Sequence, residues 1–302
     1  MNKSWLALTV SLAFAQPALA NIDIQFDYGY DTSGFFTNNA NRMSVLESAA
    51  SILESRFSDN LTAITSSGAN SFNPIFFNPS SPSTTLTLDN ASFGANVIRV
   101  YVGAADLGSN TLGVGGPGGF SCSGIDSFCE NADQRGQGPT QNTATVQAVD
   151  VAPWGGAISF DSGNTNWHFG TTTAGLTSGQ FDFYSVAVHE LGHILGFGTS
   201  DSFSNLVVGS SFVGATAGTV PLDADRAHWA AGTLSIFNGA SQETAMDPTL
   251  TDGVRKNFTD LDFAAMNDIG WAVTPVPEAD TWAMLLAGLG LVGFMSYRRR
   301  PA

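Results

Sequence analysis

Two histidines flank a glutamate in the segment His189-Glu-Leu-Gly-His-Ile-Leu-Gly-Phe-Gly198. At about 3.6 residues per helical turn, His189 and His193 emerge one above the other on one helix face, with Glu190 beside them. A helix uses this spacing to hold a catalytic zinc ion, and the carboxylate then serves as a base toward a zinc-activated water. Because a catalytic zinc normally has three protein ligands and one open position, the chain needs one further ligand.

The chain holds four histidines, which leaves His168 and His228 as further imidazole candidates. In the metzincin pattern a glycine and then the third histidine follow the second; here Gly196 is present, but Thr199 occupies the histidine position. His168 lies between two aromatic residues, which indicates a packed or cleft histidine. His228, in an acidic loop, is therefore the better candidate.

Two carboxylates are weaker alternatives for the third ligand. Asp201 lies two residues beyond the histidine register, and Glu243 would suit only a gluzincin-type arrangement. Taken alone, His228 could also be an ordinary surface histidine.

Three segments in order carry a family resemblance: His189 to Gly196, then His228-Trp229, then Glu243-Thr-Ala-Met246-Asp-Pro248. The chain resembles the leishmanolysin-type branch of the metzincins, in which an insertion displaces the third histidine and a methionine turn lies beneath the metal. The resemblance covers roughly residues 180 to 273. It implies zinc ligation by His189, His193 and His228, and a methionine turn at Met246, although a methionine there could also be plain core.

The resemblance also implies a fold and an activity. The fold class is α+β: a metzincin-like catalytic domain with a mixed twisted sheet, a zinc-binding helix and a second irregular or helical lobe. The activity is that of a zinc metalloendopeptidase that hydrolyses peptide bonds, with Glu190 as general base. Two other functions stay open: a catalytically inactive surface or biofilm-matrix protein that retains the fold, and a binding module with a structural metal.

The composition agrees with an exported enzyme. The chain of 302 residues has a net charge of −15 and only 12% charged residues, which argues against nucleic acid as a partner. Its acidity makes Ca²⁺ a further candidate ion beside Zn²⁺, since carboxylate and amide oxygens are natural calcium ligands. No calcium-loop motif supports that candidate.

Both ends of the chain have the pattern of targeting signals, and they define three parts. Residues 1–20 have the positive start, apolar run and small-residue cleavage site of a signal peptide. Residues 21–274 form the expected metallopeptidase domain. Residues 275–302 resemble the PEP-CTERM sorting signal of Gram-negative bacteria, with Ala279 where its second proline usually stands. This signal implies export to the cell surface or outside, with an exosortase-type machinery as partner.

The tail contains an apolar stretch followed by three arginines. Residues 282–297 would span about 24 Å as a helix, short of the roughly 30 Å of a bilayer core. We therefore expect a transient membrane anchor that is removed, although a permanent transmembrane helix is the alternative.

Cys122 and Cys129 are the only cysteines, and in an exported chain they predict a short-range disulfide. They lie in a glycine-rich stretch, residues 112–138, that reads as a loop. Elsewhere, alternating apolar residues predict strands at 22–26, 97–102 and 157–160, and helical spacing predicts helices at 41–58, 180–197 and from Thr259 toward Ile269. By the resemblance, the strand 157–160 would border the substrate cleft.

Overall fold

The computed structural model describes residues 22–108, 110–275 and 288. The expected signal peptide lies outside the described residues, and so does the tail from residue 276 onward except Gly288. The helices are α1 (Ala40–Glu54), α2 (Asp126–Gln134), α3 (Phe183–Ile194), α4 (Asp201–Asn205) and α5 (Asp260–Asp268). The strands are β1 (Asp23–Asp27), β2 (Ser71–Asn78), β3 (Ser81–Thr87), β4 (Val97–Ala105), β5 (Gly113–Pro117), β6 (Gly119–Ser123), β7 (Gly155–Asp161), β8 (Trp167–His168), β9 (Phe181–Asp182), β10 (Val207–Val208), β11 (Ser211–Gly214), β12 (Gly218–Pro221), β13 (Leu234–Phe237) and β14 (Ala240–Glu243).

The largest sheet has the strand order β1-β4-β7-β5. Strands β1, β4 and β7 are parallel, and β5 runs antiparallel to β7 at the edge. Since side chains alternate between the faces of a strand, Val100 and Val102 join the core that contains α1 and α3, whereas Tyr101 joins a second core against β2. The sheet is therefore covered on both faces.

The expectation that residues 157–160 border the cleft is wrong. These residues do form a strand, but β7 lies between β4 and β5 and all seven of its residues are buried. A continuous run of buried residues is typical of an interior strand rather than an edge strand. The edge next to α3 belongs to β5 instead.

The expectation of a loop over residues 112–138 is also wrong. This stretch contains β5, β6 and α2, and its two cysteines form the expected disulfide, with Cα atoms 5.7 Å apart. Strand β6 pairs with β2 in a separate three-stranded sheet. The side chain of Trp154 donates hydrogen bonds to the carbonyls of Gly118 and Gly119, at the corner between β5 and β6. Glycine-rich sequence hid these strands because it lacks the apolar alternation that indicates a strand.

The second lobe follows Gly196 and is irregular, as expected. It consists of the three-stranded sheet β10-β11-β12, the hairpin β13-β14, the short helix α4 and the terminal helix α5. Thr259 is the N-cap of helix α5 and forms a reciprocal capping box with Asp262, so the predicted start is confirmed. The α+β fold class is likewise confirmed: the chain is a mixed α+β protein with several sheets and few helices, consistent with a metzincin-like domain.

Helix α1 ends at Glu54, earlier than the sequence periodicity indicated, and Phe57 reaches the core from the turn that follows. Within the residues that the structure describes, none of the helices is both long and apolar enough to span a membrane. The segment 282–297, which carries the expectation of a membrane anchor, is not among those residues.

Candidate metal and catalytic site

Helix α3 carries the His-Glu-x-x-His segment and is anchored at its first turn. Asp182 caps the helix by accepting a hydrogen bond of 3.1 Å from the backbone N–H of Ser185. Arg255, from the second lobe, donates to both oxygens of Asp182 at 2.7 and 2.8 Å. A buried, bidentate pair of this kind fixes geometry as well as charge, so the second lobe is held against the start of the helix. Sequence analysis did not single out this pair.

Three imidazoles meet in front of α3. The Nε2 atoms of His189 and His193 are 3.1 Å apart, and the Nε2 atom of His228 lies 3.1 Å from the first and 3.0 Å from the second. His228 reaches them from the loop after β12. Helix α4 and strands β10 to β12 of the second lobe separate this loop from α3 in the sequence. In the described part of the chain, these residues form the one group of three or more His, Cys, Asp or Glu side chains arranged to hold a metal ion.

Each of the three rings hydrogen-bonds away from the cluster through Nδ1. His189 Nδ1 lies 2.7 Å from the carbonyl of Ala245, His193 Nδ1 lies 2.9 Å from the carbonyl of Phe197, and His228 Nδ1 lies 2.6 Å from a carboxylate oxygen of Asp225. Because carbonyls and carboxylates only accept, these bonds assign the ring proton to Nδ1. The Nε2 lone pairs therefore converge on one point.

The donor set fits a zinc ion. Three lone pairs that converge at 3.0 to 3.1 Å repel one another unless a cation lies among them. For Zn–N bonds of about 2.0 to 2.1 Å, tetrahedral ligands lie about 3.3 Å apart, close to these separations. Burial, reinforced by the neighbouring imidazoles, lowers the pKa of His189 well below its usual value and that of His193 to about 4. These two rings are thereby kept neutral, which is the form that binds metal.

Glu190 lies between α3 and the edge strand β5. Its side chain is buried, and a Cβ atom added to Gly113 or to Gly115 would come within 3.0 Å of the carboxylate oxygens. The two glycines therefore let β5 approach the helix closely. Burial raises the pKa of Glu190 to about 8, opposed by a hydrogen bond from the backbone N–H of Gly115. Sequence analysis missed these glycines because it took their segment for a loop.

A cleft of about 1150 Å³ opens in front of these groups. It is lined by the three histidines and Glu190, by β5, and by the segment from Asp247 to Leu250. On that last segment, Asp247 pairs at 3.1 Å with the buried ammonium group of Lys256, which also contacts Glu243 at 2.8 Å. The cleft is large enough to take several residues of an extended peptide.

Met246 packs against helix α3 between His189 and His193, at Gly192. It is fully buried, and a Cβ atom added to Gly192 of α3 would lie 2.5 Å from its sulfur. The backbone carbonyl of Met246 also accepts a hydrogen bond of 3.0 Å from the N–H of Trp229, the residue after His228. The methionine therefore packs against α3 and holds the segment that carries the third histidine.

The remaining candidates lie away from the cluster. Thr199 donates its hydroxyl to the carbonyl of His193 at 2.7 Å, which closes the end of α3. His168 is buried, and its Nε2 atom lies 3.1 Å from the carbonyl of Thr172, which agrees with a packed histidine. Asp225, the partner of His228, was missed, although an acidic residue three positions before a candidate ligand was a usable signal.

A family model described as Matrixin matches residues 127–225, and one described as the PEP-CTERM protein-sorting motif matches residues 275–300. The Matrixin match includes His189, Glu190 and His193 and ends before His228. Comparison with curated proteins and with solved structures gives no significant match. No comparison supports calcium binding. Residues 127–225 are therefore similar to a matrixin domain, which suggests a zinc metallopeptidase, and the tail matches a sorting motif that implies export and surface association in Gram-negative bacteria.

Proposed function

We propose that the chain is a zinc endopeptidase that acts outside the cytoplasm. The observation that carries the proposal is the convergence of the Nε2 atoms of His189, His193 and His228 within 3.1 Å, each ring being oriented by a hydrogen bond at Nδ1. Three neutral imidazoles with one side open to a large cleft are the ligand set of a catalytic rather than a structural zinc, which would need a fourth protein ligand. Met246 is the methionine turn of this arrangement, and His228 is its displaced, leishmanolysin-like third ligand.

Zinc bound here supplies Lewis acidity toward the scissile carbonyl and makes water a stronger acid. Glu190 would hold the attacking water by a hydrogen bond, remove its proton as it attacks the carbonyl carbon, and deliver that proton to the departing amine nitrogen. The positive charge of a bound zinc ion would lower the raised pKa of Glu190 and keep the carboxylate ionised for this role. Burial of the carboxylate between α3 and β5 would strengthen the hydrogen bond to the water, because little of the side chain is exposed although it lines the cleft.

The substrate binds as an extended peptide along β5. Among the described residues, β5 pairs with no strand but β7, so its other edge can accept a peptide strand at the positions beside the Gly115 N–H, which bonds to Glu190. Pairing at that edge would carry the peptide past Glu190, since Gly113 and Gly115 of β5 lie against this carboxylate.

We further propose that residues 1–20 direct export, residues 21–274 form the peptidase domain, and the tail from residue 275 is recognised by an exosortase-type machinery. The Matrixin and PEP-CTERM matches support the second and third assignments over the residues they cover. Transient anchoring of the tail in a membrane remains a prediction without support from the described residues.

Metal analysis of the purified secreted protein, combined with a casein cleavage assay, tests the proposal. We expect about one zinc per chain, and cleavage that a chelator abolishes and added zinc restores. Glu190→Gln should keep the zinc and lose cleavage, because the amide retains the shape but cannot accept the proton. A zinc-loaded wild-type protein that cleaves nothing would favour the inactive surface or matrix protein. Equal cleavage by Glu190→Gln and the wild type would show that Glu190 is not the general base.

A further inference from the structure

A second cavity, of about 360 Å³, lies beside the far end of the edge strand. It begins at Pro117, the last residue of β5, and extends to Gly196 and Thr199 just beyond α3. It is therefore bounded by the same strand and the same helix that hold Glu190, but at the end of β5 opposite to Gly113.

The distance along β5 relates this cavity to the catalytic centre. Gly115 lies against Glu190, and Pro117 follows two residues later. Because an extended strand advances about 3.3 Å per residue, the cavity begins about 7 Å along the strand from the catalytic carboxylate. A peptide paired with the free edge of β5 would thus bring to the cavity a side chain that lies two or three residues from the scissile bond.

The charged groups of the cavity are all negative. Its lining includes Asp133 and Asp201 and contains no lysine or arginine. Neither carboxylate forms an ion pair with any residue that the structure describes. Three consecutive residues hold them: Thr140 and Gln141 donate to Asp133 at 3.0 and 2.7 Å, and the backbone N–H of Asn142 donates to Asp201 at 2.7 Å.

This arrangement favours a positively charged occupant. Burial raises the pKa of Asp133 despite its two hydrogen bonds, so a cation beside it would stabilise the charged carboxylate. The cavity also has apolar walls, formed by Phe120, Val151 and Trp154. Such walls can cover the aliphatic stem of a lysine or arginine while the cationic head meets the carboxylates.

We propose that this cavity is a substrate subsite for a lysine or arginine side chain, so that the enzyme prefers basic peptides with such a residue two or three positions from the scissile bond. The proposal rests on the peptidase function proposed above. The net charge of −15 acts in the same direction, since an acidic protein attracts cationic substrates over a distance.

A set of matched fluorogenic peptides tests the subsite. A neutral parent peptide that the wild type cleaves is varied by a single Arg, Gln or Glu at each of four positions on either side of the bond. We expect kcat/KM for Arg to exceed that for Gln by about tenfold at one position, two or three residues from the bond, and Glu to be the poorest. Raising the salt concentration should reduce this preference, because ions screen the partly exposed carboxylates.

The double variant Asp133→Asn/Asp201→Asn should lower the Arg-to-Gln ratio to less than about twofold. Asp89→Asn is the matched control, because Asp89 is exposed, makes no side-chain hydrogen bond to a described residue and lines neither cavity; it should keep the full ratio. If the double variant does not fold, Asp201→Asn alone should still reduce the ratio.

Two results would overturn the subsite: no preference for Arg at any of those positions, or a ratio that the aspartate substitutions leave unchanged. Cleavage of the parent peptide without a preference for Arg would reject the subsite and leave the peptidase function standing. Zinc-loaded protein that cleaves no peptide of the set would reject both.

Discussion

The hydroxyl of Thr199 donates a hydrogen bond of 2.7 Å to the backbone carbonyl of His193. Thr199 occupies the position at which the usual metzincin pattern carries its third histidine, and here it serves the helix end instead. The imidazole that completes the cluster comes from His228, whose Nε2 atom lies 3.0 Å from that of His193. Thr199 thus closes the C-terminal end of α3, and a different residue, His228, completes the histidine cluster.

Single substitutions of His228 and Thr199 show which of the two positions supplies the third zinc ligand. We expect His228→Ala to lower zinc content and peptide cleavage together, because two imidazoles remain where three are needed. Thr199→Ala should leave zinc content nearly unchanged and cost about 1 kcal/mol of stability through the lost hydrogen bond. Metal analysis and chemical denaturation measure the two effects. Zinc loss in Thr199→Ala but not in His228→Ala would mean that the third ligand lies at the conventional metzincin position.

Asp225 should tune the affinity for zinc through His228. Its carboxylate oxygen lies 2.6 Å from His228 Nδ1 and fixes both the ring orientation and the position of the proton. We expect Asp225→Asn to weaken zinc binding by about 10- to 100-fold in a chelator competition. Asp223→Asn, in the same loop, is the control, because the Asp223 carboxylate makes no hydrogen bond to a described residue. Equal affinities for the Asp225 variant and the wild type would refute this role.

The close approach of β5 to Glu190 predicts a steric effect on catalysis. A Cβ atom at Gly113 would lie 2.7 Å from a methyl carbon of Val186 and 2.8 Å from a Glu190 oxygen, whereas one at Gly116 meets nothing within 4 Å. We expect Gly113→Ala to keep zinc and to lower kcat by at least about tenfold, because the base is displaced. Gly116→Ala should behave like the wild type. Full activity in Gly113→Ala would mean that the strand can shift without consequence.

Asp262 joins the terminal helix to both segments around the cluster. Its buried carboxylate accepts hydrogen bonds from the Trp229 side chain at 2.9 Å and from the backbone N–H of Ala245 at 3.0 Å, besides capping α5. We expect Asp262→Ala to reduce the free energy of unfolding by about 3 kcal/mol or more, because several buried donors lose their acceptor. Asp260→Ala, on the exposed side of the same first turn, should cost less than about 1 kcal/mol. Similar losses in the two variants would contradict this assignment.

The disulfide should contribute stability rather than chemistry. Cys122 and Cys129 are separated by seven positions, and closing a loop of that size corresponds to about 2.5 kcal/mol in the chain-entropy description. We expect the double variant Cys122→Ser/Cys129→Ser to unfold at lower denaturant concentration while it keeps its zinc. A change in zinc content would indicate that the β6 and α2 region also shapes the metal site.

Local pattern predicted what depends on neighbours in the sequence. The pair His189 and His193 on one helix face, the cap of α5 at Thr259 and the strands around Ile24, Val100 and Ile158 all follow from periodicity or capping, which residues within a few positions of one another decide. The short-range disulfide belongs to the same class. Element ends were less accurate, as at α1, where Phe57 joins the core from outside the helix.

Tertiary structure decided which elements meet. Strand β7 and strand β5 differ in role because one is covered on both sides and the other is an edge, and no local pattern in residues 155–161 or 113–117 records that difference. The glycines of β5 look like loop residues until Glu190 is seen to occupy the space that their missing side chains leave. By itself, the sequence determined two corners of the histidine cluster and its carboxylate, since one turn of helix aligns them. Only the folded chain decides that His228, with Asp225 behind it, reaches the third corner, because long-range packing against Met246 and Asp262 sets the path of that loop.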